Sequence, residues 1–380
     1  MSICLLYFLV RSFAPGYIDK QYNTVYTQPP YAVSEQAIQL YNSLDFVADL
    51  HCDVLLWKRD ILRKNEFGHV DVPRLLEANV ALQAFTIVSK TPKNQNYSRN
   101  DDQSDNITAL FFVQGRPTST LSSLKKRALD QSARLNNFVR ASIGKLRLIT
   151  NQKEFRRYIQ DRESNKNITA GFLGAEGGHI FEGKLSSIDE LYAEGLRMVG
   201  PVHFFDNDLG GSAHGVNKAG LTRFGREAIA RMQELDMIID LSHASEKMVD
   251  EILAISKKPL IVSHTGVKGT CDNNRNLSDR HLRQIAKGGG VIGIALFKQA
   301  VCGSDAMSTA KAIKYTADLV GIDHVALGSD FDGAVKAHFD VTGLPLIVEA
   351  LMKLGMSEED IRKVMGENVR DFLLKNLPAS

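Results

Sequence analysis

An α/β chain folded as a single (β/α)8 barrel of the TIM type is the architecture this sequence predicts, and three observations carry it. Short apolar runs of strand length alternate with amphipathic helical stretches along most of the chain, as parallel strands joined by crossover helices require. Eight such runs can be counted, which favours a barrel over an open sheet. Residues able to bind metal fall at the carboxyl ends of those runs, the face on which barrel enzymes carry their chemistry. A doubly wound open sheet is the alternative; it is disfavoured because no glycine fingerprint follows the first strand.

The strands and helices can be taken in order. A helix is expected over 34–44 and a first strand from Phe46, ending in His51-Cys52-Asp53. Residues 70–79 form a helix with Pro73 near its start, and 80–88 a second strand. The polar stretch 89–106 reads as a surface excursion, and 122–143 as a long amphipathic helix. Strands then follow at 168–173, 198–202, 237–241, 260–262, 291–296 and 325–328, separated by helices at 188–194, 222–235, 245–255, 278–287 and 308–320. Helices close the chain from Gly343 onward.

At 380 residues the chain has room for two ordinary domains or one large barrel with insertions. The expected division is an amino-terminal tail over 1–33 and a single catalytic barrel over 34–380. A content of 44% hydrophobic and 24% charged residues is that of a water-soluble globular protein. Lys plus Arg at 46 against Asp plus Glu at 44 leaves a formal charge of +2, so there is no global basic footprint for nucleic acid or an anionic membrane. Cys4, Cys52, Cys271 and Cys302 are scattered, without a C-x-x-C pair, and do not settle the redox compartment. The apolar run from Ile3 to Val10 is about half the length a spanning helix needs and lacks the basic flank and cleavage site of a signal peptide. It reads as a shortened anchor followed by an extended, tyrosine-rich linker, or else as a frayed terminus. The first reading places the protein in the periplasm or on a membrane, the second in the cytoplasm.

The chemistry begins at His51-x-Asp53. In a strand, alternate residues share a face, so this imidazole and carboxylate point the same way and form half of a metal site. A lone His-x-Asp is more often a simple hydrogen-bonded pair. Here Glu176, His203, His243, His264 and Asp330 occupy the same place on other strands, and seven such residues at one end of one barrel make a site. Even three of these four histidines with two or three carboxylates exceed what one tetrahedral zinc takes from protein. Two ions sharing a bridging carboxylate would use them economically, with Glu176 placed for the bridge. Such a pair lowers the pKa of a bound water and polarises a carbonyl, which points to hydrolysis of an amide or ester.

The ordered series His51-x-Asp53, GAEGGH with Glu176, DLSH with His243, VSH with His264, RN at Arg275 and GSDFDG with Asp330 resembles the membrane (renal) dipeptidase family, from about Asp45 to Phe372. The resemblance implies a binuclear zinc dipeptidase on a metal-dependent hydrolase barrel. It implies that His51 and Asp53 bind one zinc and His243 and His264 the other, with Glu176 and a water or hydroxide between them. It also implies that Asp330 shuttles the proton, that His203 stabilises the oxyanion, and that Arg275 grips the free carboxylate of the dipeptide. The segment around His203, PVHFFDND, departs from the flanks found in animal enzymes. A homodimer, and tolerance of a D-residue at the carboxyl-terminal position, come with the resemblance as expectations.

His179 is expected either to orient Glu176 or to pack its loop, and Asp332 stands close enough in sequence to compete with Asp330. The competing activity is that of a related amidohydrolase acting on an N-acyl amino acid, a lactam or a lactone. Many such enzymes carry His-x-His on the first strand and a carboxylated lysine as bridge, whereas this chain has His-x-Asp and Glu176. A non-catalytic relative is disfavoured because every matched position is filled.

Overall fold

A computed structural model describes residues 3–380, with side chains from Arg11 onward. Its strands are β1 (Val47–Asp49), β2 (Val80–Val88), β3 (Leu146–Leu148), β4 (Thr169–Glu176), β5 (Leu196–Gly200), β6 (Ile238–Ile239), β7 (Ile261–Thr265), β8 (Val291–Ile294) and β9 (Val325–Leu327). All pair in parallel, in a sheet ordered β1-β2-β4-β5-β6 and a second ordered β7-β8-β9. The protein thus has a half-barrel of parallel strands with helices in the connections.

The two sheets also meet at their edges. Asp240 forms a parallel bridge with Ile261, and Leu241 N donates to Ile261 O at 2.8 Å, joining the end of β6 to β7. Leu50 N donates to Leu327 O at 3.1 Å and Asp53 N to Phe331 O at 2.8 Å, joining the end of β1 to that of β9. One buried apolar cluster draws Ala48, Leu82, Phe172, Met198, Ile238, Ile261, Val291 and Ala326 from the eight strands other than β3 and is closed by Val369, Phe372 and Leu373 of the last helix. Two glycines allow close approach at the site end: a Cβ at Gly293 or Gly328 would collide with the Ser263 carbonyl.

Several boundaries differ from the sequence expectation for local reasons. β3 was not expected. It pairs only with the start of β4, Leu146 to Leu148 against Thr169 to Gly171, and is too short to show alternation. The helix Asn106–Gln114 follows the surface excursion; its apolar residues surround the helix, so it has no amphipathic signature, and Asp105 caps it by accepting from Ile107 N. Thr222 caps its helix as expected, accepting from Gly225 N.

The amino terminus departs furthest. Instead of an extended linker, residues 11–22 continue one helix, Ile3–Tyr22. The reason is a buried polar dock: Asp19 pairs with Arg59 Nε at 2.7 Å, and Arg59 Nη2 reaches Asp332 Oδ1 at 2.5 Å. Asn23 donates to Asp19 at 2.7 Å and accepts from Ala334 N at 3.0 Å. Among the described residues no helix is long and apolar enough to cross a membrane.

This dock gives a stability prediction. Arg59→Met strips the countercharge from two buried carboxylates, and chemical denaturation is expected to register a loss of about 3–5 kcal/mol. The same change at exposed Arg63 should stay within about 0.5 kcal/mol. Equal effects at the two positions would show that the dock adds nothing.

Candidate metal centre

The metal-site residues named from the sequence gather around one carboxylate, Asp53 by way of His51. Glu176, the last residue of β4, is buried, and four imidazoles surround it. Its Oε1 lies 3.2 Å from His51 Nε2, 3.3 Å from His243 Nε2 and 3.4 Å from His264 Nε2, and its Oε2 lies 2.9 Å from His203 Nε2. His51 Nε2 is also 3.5 Å from Asp53 Oδ1, although the strand expected to carry the pair ends earlier, at Asp49, and Asp53 already opens the short turn Val54–Leu56. Three overlapping donor groups result, each within 4.8 Å: His51, Glu176 and His264; Glu176, His203 and His243; and His51, Asp53 and Asp330.

The donor chemistry fits a divalent cation. His51 Nε2 and Glu176 Oε1 are buried and have no hydrogen-bond partner among the described residues. His243 Nε2 and His264 Nε2 face each other at 3.0 Å. Lone pairs gathered this closely repel unless a proton or a cation lies between them, and neutral imidazole with carboxylate is a zinc-type donor set. Burial disfavours the charged forms of His243 and His264 and, with the charge of Arg275 beside His243 and those of His51 and Arg275 beside His264, holds both well below the ordinary histidine range. Burial alone would raise Glu176, yet the neighbouring histidines, His203 first, hold it well below the ordinary range and keep it anionic.

The rings are held from beneath by residues that the sequence reading did not place in the site. Ser263 Oγ lies 2.9 Å from His51 Nδ1 and 3.0 Å from His264 Nδ1, and donates to Asp240 Oδ2 at 2.5 Å. Since its one proton goes to Asp240, the hydroxyl accepts from both rings, which puts their protons on Nδ1 and frees both Nε2 lone pairs. Asp240 also accepts from Ser242 N and Ser263 N, at 3.0 and 2.8 Å. Asp49 does similar work under Asp330, accepting from Ser329 N at 2.7 Å and Ser329 Oγ at 2.6 Å. Thr86 Oγ1 donates to Asp53 Oδ1 at 2.6 Å. The visible signal was a serine directly before His243, His264 and Asp330, but serine is too common for position alone to mark it.

The remaining candidates sort cleanly. Asp330 joins the donor groups, whereas Asp332 faces Arg59 and accepts from His69 N at 2.8 Å and Val70 N at 3.1 Å. Burial first, and then Asp53 and Glu176, raise Asp330 well above the ordinary carboxylate range. His243 and Asp330 both have φ of +63°, a left-handed turn uncommon outside glycine that redirects each side chain at its strand's end. Arg275 is buried rather than on the surface; its Nη2 donates to His264 O at 2.8 Å, and no carboxylate pairs with it among the described residues. A disulfide between Cys271 and Cys302, not deducible from spacing, ties its loop to the segment after β8. Among the described residues no hydrogen bond joins His179 to Glu176. The His179 ring bonds Ser89 Oγ at 2.7 Å, and burial pushes its pKa down to about 3. His214 accepts a similar buried place, with Nδ1 2.9 Å from Tyr97 O.

The relay under the rings makes a prediction. Ser263→Ala should fold normally by circular dichroism but bind a divalent ion about 10–100-fold more weakly in chelator competition. Unchanged affinity would remove Ser263 from any part in orienting the ligands.

Comparison with known proteins agrees with this geometry. The profile of the membrane dipeptidase family (peptidase family M19) matches residues 34–373. Dipeptidase tcpJ of Claviceps purpurea is 27% identical over 80% of this chain and 69% of its own length. An uncharacterized protein in the pqqA 5′ region of Klebsiella pneumoniae is 31% identical over 63% of this chain and 92% of its own length. A metallo peptidase from Rhodobacter sphaeroides, solved with a phosphinate mimic of the dipeptide L-Ala-D-Ala, superposes with a TM-score of 0.70 at 26% identity, over 87% of this chain and 99% of that one. The chain belongs to the membrane dipeptidase family and is a metallo-dipeptidase, a hydrolase.

Proposed function

We propose that this protein is a binuclear zinc dipeptidase that hydrolyses the peptide bond of small free dipeptides, on a (β/α)8 barrel closed through the edge contacts of its two sheets. In this reading His51 and Asp53 hold one ion, His243 and His264 the other, and Glu176 is shared. The observation that carries it is one buried carboxylate common to two donor groups, in a cavity that also contains a buried guanidinium with no carboxylate partner among the described residues. Ions held by these residues would supply a water acidic enough to ionise near neutral pH and would polarise the scissile carbonyl.

The chain's own residues do the rest. Arg275 binds the free carboxylate of the dipeptide through its guanidinium fork, which excludes substrates blocked at that end. His203 faces the developing oxyanion and steadies it. Asp330 takes a proton on its carboxylate from the attacking water and passes it to the nitrogen of the leaving amine as the C–N bond breaks. A carboxyl-terminal residue of D configuration falls within the reading, supported by the mimic bound to the Rhodobacter sphaeroides relative.

A dipeptide panel with L- and D-residues at the second position, alongside amidated and N-acetylated versions, tests this on zinc-reconstituted protein. Cleavage of the free dipeptides alone is expected. Cleavage of the blocked forms alone would move the activity to an amidohydrolase acting on N-acyl amino acids or related amides. Asp330→Asn is expected to keep its metal and lose at least about 100-fold in kcat; full turnover would remove Asp330 from the proton path.

A further inference from the structure

The catalytic cavity is larger than its chemistry requires. It encloses about 880 Å³, towards the upper end of the range that holds drug-sized ligands. Its lining includes the donor groups and Arg275, polar residues such as Asn94, Asn106 and Gln299, and a set of apolar side chains. Leu56, Trp57, Val88 and Ile107 belong to one buried cluster, and Ile18 and Leu110 pack against it while remaining only half-buried. All six line the cavity. Ile18 comes from the amino-terminal helix, which the Asp19–Arg59 dock holds in place, and Tyr22 of the same helix stacks on Trp57 with ring centroids 6.4 Å apart.

Topology sets the direction of this wall. Leu56 and Trp57 follow β1, and Val88, Ile107 and Leu110 end or follow β2, whereas Arg275 follows β7. Counting the edge bridge between β6 and β7 and that between β1 and β9, β7 is four strands from β2 in either direction. With the ring of strands closed as in the proposed barrel, this order sets the apolar wall across the metal centre from the guanidinium. Resting on the dipeptidase reading, we propose that this wall is a subsite for the side chain of the substrate's amino-terminal residue, that it selects large apolar residues there, and that Ile18 and Leu110 determine the selection. A dipeptide anchored by its carboxylate at Arg275, with its peptide bond at Glu176, directs its first residue towards this wall. The charged side chains on the cavity lining outside the centre, Lys93 and Lys336, are exposed at its rim. They give acidic first residues the competing claim.

The test is kcat/KM for an X-Ala series with X as Ala, Leu, Phe, Trp and Asp, using the full chain loaded with zinc. Leu, Phe and Trp are expected to exceed Ala at least about tenfold, with Asp the poorest. Ile18→Asn and Leu110→Asn, each checked for fold by circular dichroism, are expected to lower the Phe-Ala to Ala-Ala ratio about tenfold. A flat series, a preference for Asp, or variants that leave the ratio unaltered would overturn this proposal while leaving the dipeptidase reading intact. Cleavage of none of the dipeptides would overturn both.

Discussion

The structure depends on one buried anion. Placing the Glu176 carboxylate in the interior carries a desolvation penalty of several kcal/mol unless charge or hydrogen bonds offset it. Four imidazoles, from the ends of β1, β5, β6 and β7, close on its two oxygens. No single strand could supply them. The parallel arrangement brings the carboxyl ends of several strands to one face, so the fold and the site are the same constraint seen at two scales.

That arrangement is maintained by polar groups one step below the ligands. Asp240 and Asp49 are buried and hold Ser263 and Ser329, which in turn fix the backbone or rings of the residues that reach the centre. Glycine at 293 and 328 lets strands approach the Ser263 carbonyl. The left-handed backbone at His243 and Asp330 shows the local cost of aiming side chains inward, a cost the surrounding packing has to offset. Function and stability therefore draw on the same layer of residues.

Much of the site was legible in the sequence because metal chemistry restricts residue types. His51, Asp53, Glu176, His243, His264 and Asp330 could be named from their positions at strand ends, and the structure gathers all six. Ser263 and Asp240 were not named, since hydrogen-bonded serine and aspartate leave no mark that separates them from ordinary polar residues. The helix through residues 11–22 was read as a linker because its support is tertiary: Asp19 finds Arg59 forty positions away, and no local pattern announces that partner. The helix Asn106–Gln114 was missed for a related reason, since it packs against the amino-terminal helix and the cavity wall and carries no amphipathic period. What periodicity could not reveal was what lies on the apolar side of the cavity.

The central claim is that Glu176 is shared by two metal ions, and counting metal per chain tests it most directly. Elemental analysis of protein reconstituted with zinc and freed of excess should give two ions per chain in the wild type and a clear loss in Glu176→Gln. One ion in the wild type, or two retained in the variant, would contradict the account.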